Sequence, residues 1–253
     1  MLGQDSQQKK IENIIKKFDG DMARVILEVE RLTNKYLLTN NVTALTSLDF
    51  DIAFNDILQK SGYYTLIRNM VDEDFNVLFG MIKDGFKEGG FLIEYTKSDL
   101  EKVMALKALQ TNKFSVLGST AGTTLKENLY RYSLSDYSID DMAKQIAIDF
   151  KGTNLAKHST TLARTAAGEF QQSVIDIESE GLDGVYLYVG VLDGVTRDFC
   201  SCVLRQKSYY NKDQKNKIQS DSKRKYNCRH RLRMVTEEYA KGNGYKKSSG
   251  TSC

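Results

Sequence analysis

The chain has 253 residues, with 36 Lys and Arg against 33 Asp and Glu, four cysteines, no proline and no tryptophan. Its length suits one large or two modest domains with a sizeable core, and four cysteines are too few for a disulfide scaffold. No apolar run approaches the roughly 20 residues of a membrane span, and the polar opening from Met1 to Lys10 lacks the apolar stretch of an export signal. The expected setting is therefore a reducing cytoplasm, with no membrane partner.

An average chain of this length would hold about a dozen prolines at ~5% usage, so long uninterrupted helices are permitted. Ile11, Ile14, Ile15 and Phe18 form one apolar stripe, and Met22, Val25, Ile26, Val29 and Leu32 form another, with Gly20 expected to separate them. A third helix is expected from Ser47 through Phe50, Ile57 and Leu58, ending at Gly62. A fourth carries Phe75, Leu78, Met81, Ile82 and Phe86 and closes at Gly89-Gly90. Ser98 with Glu101, and Ser138 with Asp141, are capping-box patterns ahead of two more helices. A long helix follows from about residue 155 to 180, with Leu162, Ala166, Phe170, Val174 and Ile177 on one face. The run from Val185 to Leu192 reads as a buried strand. Residues 211–225 are nearly all polar and are expected to form a flexible loop. Arg231 to Val235 reads as a second strand, followed by a short helix, and residues 241–253 as a disordered tail.

Three cysteines and one of the two histidines lie within 31 residues, as Cys200-Ser-Cys202 and Cys228-Arg-His230. On an extended segment, residues i and i+2 project from the same face, so the two pairs together supply four N/S donors for a tetrahedral structural Zn²⁺. The alternative is buried thiols that pack as small hydrophobes. Asp193 and Arg197, beside the first pair, would orient the ligands or tie the loop to the strand. Four protein ligands leave zinc no open position, so the site resembles a staple and not a catalytic centre.

Charge is uneven along the chain. From residue 205 onward there are 14 Lys and Arg against four Asp and Glu, so the preceding part is acidic. Lys212, Lys215, Lys217, Lys223, Arg224, Lys225, Arg229, Arg231 and Arg233 are the candidate nucleic-acid contacts, a solvated basic loop being the alternative. His158 is expected to be an ordinary helix-surface residue. Glu178-Ser-Glu180 has the form of an ADP-ribosyltransferase Glu-x-Glu pair, but it ends a helix without an upstream strand to grip NAD, and reads as two solvated charges.

The segment Tyr186-Leu-Tyr-Val-Gly-Val-Leu-Asp193-Gly-Val-Thr196-Arg197-Asp198-Phe-Cys200, with Asn227-Cys228-Arg229-His230 downstream, resembles the C-terminal domain of the phage head morphogenesis (minor head protein, Mu F-like) family. Asp193, Thr196, Arg197 and Cys200 match its Asp-x-x-Thr-Arg-x-x-His/Cys element, and Asn227, Cys228 and Arg229 its closing Asn-Cys-Arg-Cys. His230 stands in place of the last Cys. The Leu162-Ala163-Arg164-Thr165 run is similar to the family's Ala-Arg-Thr-Glu, with Ala166 in place of Glu. The family's Trp and Pro are absent. The resemblance covers roughly residues 155–235 and implies a non-enzymatic virion component. Its implied position is the portal vertex or capsid, in several copies, with portal or capsid subunits and packaged DNA as partners. The fold expected is a mostly α N-terminal region (1–153) followed by a small α+β C-terminal domain (154–240) with a zinc staple. A zinc-stapled nucleic-acid-binding module and an ADP-ribosyltransferase-like enzyme are the alternatives.

Overall fold

The computed structural model of the protein describes residues 2–40, 47–135, 137–221, 230–250 and 253. The fold is mostly helical with a small C-terminal sheet, the class expected. The elements are α1 (Leu2–Thr39), α2 (Ser47–Lys60), α3 (Tyr63–Asn69), a π-helical turn (Met70–Asp74), α4 (Phe75–Glu88), α5 (Lys97–Ser133), α6 (Ile139–Gly152) and α7 (Asn154–Glu178). They continue with β1 (Val185–Val189), α8 (Asp198–Arg205), β2 (Ser208–Tyr210), α9 (Lys212–Ser220), β3 (Arg231–Val235), α10 (Glu237–Gly242) and β4 (Lys246–Lys247).

Two compact units share these elements, and neither is a single continuous segment. One comprises Ile15–Asp72 and Ala108–Ala163. Gly20 does not break α1, although a mid-helix glycine costs roughly 1 kcal/mol. Phe18 and Met22 on either side of it are buried, so packing overrides the local propensity. Gly62, at φ +84°, makes the left-handed step between α2 and α3 that the sequence suggests. Tyr63 is fully buried and donates its hydroxyl to the Phe114 carbonyl at 2.7 Å, and the Phe18 and Phe114 rings lie 5.7 Å apart. Ser138 caps α6 by accepting the Asp141 N–H, as its pattern predicts. Asp149 on α6 accepts from Tyr132 and Asn128 on α5.

The other unit comprises Met1–Ile14, Glu73–Lys107 and Arg164–Cys253. The α5 cap sits two residues before the expected Ser98. Thr96 accepts the Asp99 N–H, and the Asp99 carboxylate accepts the Thr96 N–H in return. The Phe75 and Phe170 rings stack 4.6 Å apart at the junction of α4 and α7. The sheet order is β3-β1-β2-β4, with β1 antiparallel to both neighbours and β2 parallel to β4. Leu187, Val189, Tyr209, Val235 and Ala240 pack together on one face. On the other, the Tyr186 hydroxyl reaches Ser179 after α7.

Three local expectations are corrected. Residues 212–220 form a helix, because Asn211 and Gln214 make a reciprocal capping box and Lys215 and Ile218 are buried three residues apart. Residues 246–247 are a strand, held by Lys246 N–H to Lys207 O and Ser248 N–H to Tyr209 O. The first strand ends at Val189, short of Leu192.

Candidate functional site at the end of the first strand

The residues that carry the resemblance lie where β1 gives way to α8. After Gly190 the chain turns through Val191–Thr196, a loop braced almost wholly by its own atoms. Thr196 Oγ1 accepts the Asp193 N–H at 2.9 Å, and its one proton is shared between Val191 O at 3.0 Å and Asp193 Oδ1 at 2.9 Å. Asp193 Oδ1 also accepts the Val195 N–H, and the Thr196 N–H closes a turn on Asp193 O. Asp193 is thus engaged with the loop backbone. Arg197 is exposed and occupies the extended N-cap position of α8. Leu192 and Val195 at the loop tip are 50% and 77% exposed.

His230, immediately before β3, closes the loop from the sheet side. Its Nε2 donates to Val191 O at 2.8 Å, and its ring stacks on Tyr188 with centroids 5.7 Å apart. A side chain at residue 190 would collide with that ring, so glycine is required there by close approach. Tyr188 in turn donates its hydroxyl to Cys200 Sγ at 3.3 Å, and Cys200 is buried on α8.

The four-donor zinc set is not assembled among the described residues. Cys200 and Cys202 sit on a helix, not an extended segment, so they face nearly opposite directions. Cys202 forms a disulfide with Cys253. Cys228 lies outside the described residues. No group of three or more His, Cys, Asp or Glu placed to hold a metal occurs among the described residues.

The expected nucleic-acid residues separate into classes. Lys212 and Lys217 are exposed on α9. Lys215 is buried, ion-paired to Asp176 at 2.7 Å and placed over the Tyr186 ring. Arg233 is buried too, donating to Gly85 O at 2.9 Å and pairing with Glu88 at 3.2 Å. Arg231, two residues earlier on the strand, is partly buried, and burial beside Arg233 pushes its guanidinium down to about 10. Lys215 and Arg233 hold the fold together and do not face solvent, which corrects their assignment as surface contacts. Lys223, Arg224, Lys225 and Arg229 lie outside the described residues.

His158 is exposed on α7, and Glu180 is exposed beyond its end. Glu178 departs from the solvated-charge expectation. It is only 7% exposed, and its Oε1 has no hydrogen-bond partner among the described residues. Burial, with Asp99 adding like-charge repulsion, pushes its carboxyl up to about 7. Tyr95, whose buried hydroxyl is also unsatisfied, is raised by burial and then by Glu178, and Lys83 lies 4.4 Å over its ring. The sequence signal was present as a charge on the apolar side of a helix end.

No protein-family model, curated protein or solved structure matches the chain.

Proposed function

We propose that the protein is a structural component of a tailed-phage virion. In this reading it is a minor head protein, associated with the portal vertex or capsid, that acts in head morphogenesis and in DNA packaging or ejection. The identity of the assembly comes from the resemblance around Asp193, Thr196, Arg197 and Cys200. The observation that supports a docking role is the loop those residues build. Its polar groups are bonded inward, while Leu192 and Val195 stand exposed at its tip. A pre-ordered loop loses little conformational entropy when its aliphatic tip is buried against a partner subunit. The role is non-enzymatic, and the exposed Lys212 and Lys217 would meet packaged DNA as point charges.

Co-expression with the portal and major capsid proteins of a phage found to carry this gene tests the reading. The wild-type chain should co-purify with one of them, and L192D combined with V195D should lose that association while keeping the wild-type melting temperature. A wild-type chain that associates with neither, or a double variant that associates undiminished, refutes it.

A further inference from the structure

The Cys202–Cys253 disulfide opens onto a surface groove whose chemistry is not accounted for by the role above. Asp198, Ser201, Cys202, Arg205 and Gln206 line a shallow groove of about 460 Å³. Their spacing, i, i+3, i+4, i+7 and i+8, is one face of α8. The groove thus carries an anion toward one end of the helix, a cation toward the other, two neutral hydrogen-bonding groups and one sulfur of the disulfide. Cys202 is only partly buried, whereas Cys200 on the opposite side of the helix is sealed in the core.

The two sulfurs are not equivalent. Gln206 Nε2 lies 3.0 Å from Cys253 Sγ and 4.0 Å from Cys202 Sγ. The buried Tyr210 hydroxyl donates to Gln206 Oε1 at 3.2 Å, which sets the amide with its N–H groups toward the sulfurs. An N–H donor favours negative charge on the atom it faces, so Cys253 is the better leaving thiolate. Cys202, lining the groove, is the sulfur open to attack.

We propose that Cys202 is a thiol-exchange site addressed by a small zwitterionic peptide thiol. Arg205 would take a carboxylate of that thiol and Asp198 its ammonium. The incoming thiolate forms an S–S bond to Cys202 Sγ as the Cys202–Cys253 bond breaks. The electron pair leaves on Cys253 Sγ, accepts the Gln206 N–H and is later protonated by water. The number of disulfides is unchanged at each exchange, and the small thiol is the reductant, since over two exchanges two of its molecules become one disulfide as the Cys202–Cys253 bond is reduced. A second thiol can then displace Cys202 as a thiolate, releasing the small-molecule disulfide. Exchange frees Cys253 Sγ from Cys202 on α8, while Lys246 N–H to Lys207 O, Ser248 N–H to Tyr209 O and the Gln214 amide to Ser248 O continue to pair the preceding segment with the sheet and α9. A redox-labile bond of this kind is what a disulfide in a reducing compartment is expected to be.

The full chain, purified without reductant, is incubated with reduced glutathione or with 2-mercaptoethanol at equal thiolate concentration. It is quenched with N-ethylmaleimide and mapped by peptide mass spectrometry. The expected product carries glutathione on Cys202 and maleimide on Cys253, and forms faster with glutathione than with the neutral thiol. R205Q and D198N should each lower that rate ratio by about two- to fivefold, the scale of an exposed ion pair. R205K should keep it, which separates lost charge from lost fold. Q206L should slow both thiols alike. The proposal is overturned if the purified chain lacks the Cys202–Cys253 linkage or if glutathione goes to Cys253. It is overturned equally if the neutral thiol reacts as fast, or if neither charge variant changes the ratio.

Discussion

Cys200 and Cys202 are two residues apart on a helix that turns about 100° per residue, so their side chains diverge by about 200°. That rotation alone sends one thiol to Tyr188 in the core and the other to Cys253 at the surface. Glu178 shows the same dependence of chemistry on surroundings. Its folded pKa, about 7, lies above the ordinary 4.5, because burial disfavours the charge, Asp99 adds to this, and Lys102 and Lys83 only partly oppose it. Between those values the folded chain keeps a proton that the unfolded chain releases. Stability is therefore greatest below the ordinary value and falls as pH rises to about 7, then levels off. Glu178→Gln should flatten this fall, matching the wild type near pH 4 and melting higher near pH 8. Thermal unfolding across that range checks it, and an unchanged slope would remove Glu178 as the cause.

At the scale of elements, α5 shows how small residues set helix spacing. A Cβ on Gly122 would lie 2.6 Å from Phe54 Cδ1, and one on Gly118 would press on Tyr63 and Leu58. Phe54 is buried and stacked on Phe50, so it has little room to yield. Gly122→Ala should destabilise by about 1–3 kcal/mol through overpacking. Gly20→Ala is the contrasting case, since a Cβ there meets nothing within 4 Å, and it should stabilise α1 by up to ~1 kcal/mol. Urea unfolding of the two variants should give shifts of opposite sign. At α9 a polar composition still makes a helix, because the capping box and the Lys215–Asp176 pair supply what an apolar stripe usually does. A two-residue edge strand of lysines, β4, ends the sheet with little template for further pairing.

Across the whole molecule, the basic stretch from residue 205 onward is less available than its composition implies. Lys215 and Arg233 are buried in ion pairs, whereas Lys212 and Lys217 are exposed. If the protein holds DNA through the exposed pair, binding must weaken with salt as counterions return to the phosphates. The double variant K212Q/K217Q should reduce the slope of log affinity against log salt by about two units. K215Q and R233Q should leave the slope alone and lower stability instead, because each removes a cation packed inside the fold, Lys215 over Tyr186 and paired with Asp176, Arg233 bonded to Gly85 O and Glu88. Titration of a labelled duplex at several salt concentrations distinguishes these outcomes, and a slope lowered equally by all four changes would contradict the division.

Much of the helical framework was legible from residue order, since apolar spacing, the Ser138 cap and glycines such as Gly62 and Gly89 act over a few neighbouring residues. The β1 and β3 runs were legible for the same reason, being short, dense in β-formers and buried along most of their length. Long-range packing decided the rest. Whether α1 continued through Gly20 depended on what covered Phe18 and Met22, and β2 and β4 exist only through their pairing partners. Whether Lys215 and Arg233 were surface charges depended on Asp176 and Glu88, far away in the chain. The cysteine cluster was visible as a composition, but its chemistry was not, because the partner of Cys202 is 51 residues distant and the face it occupies is set by a helix. Local sequence carries conformational preference, whereas burial and pairing arise only when distant segments meet.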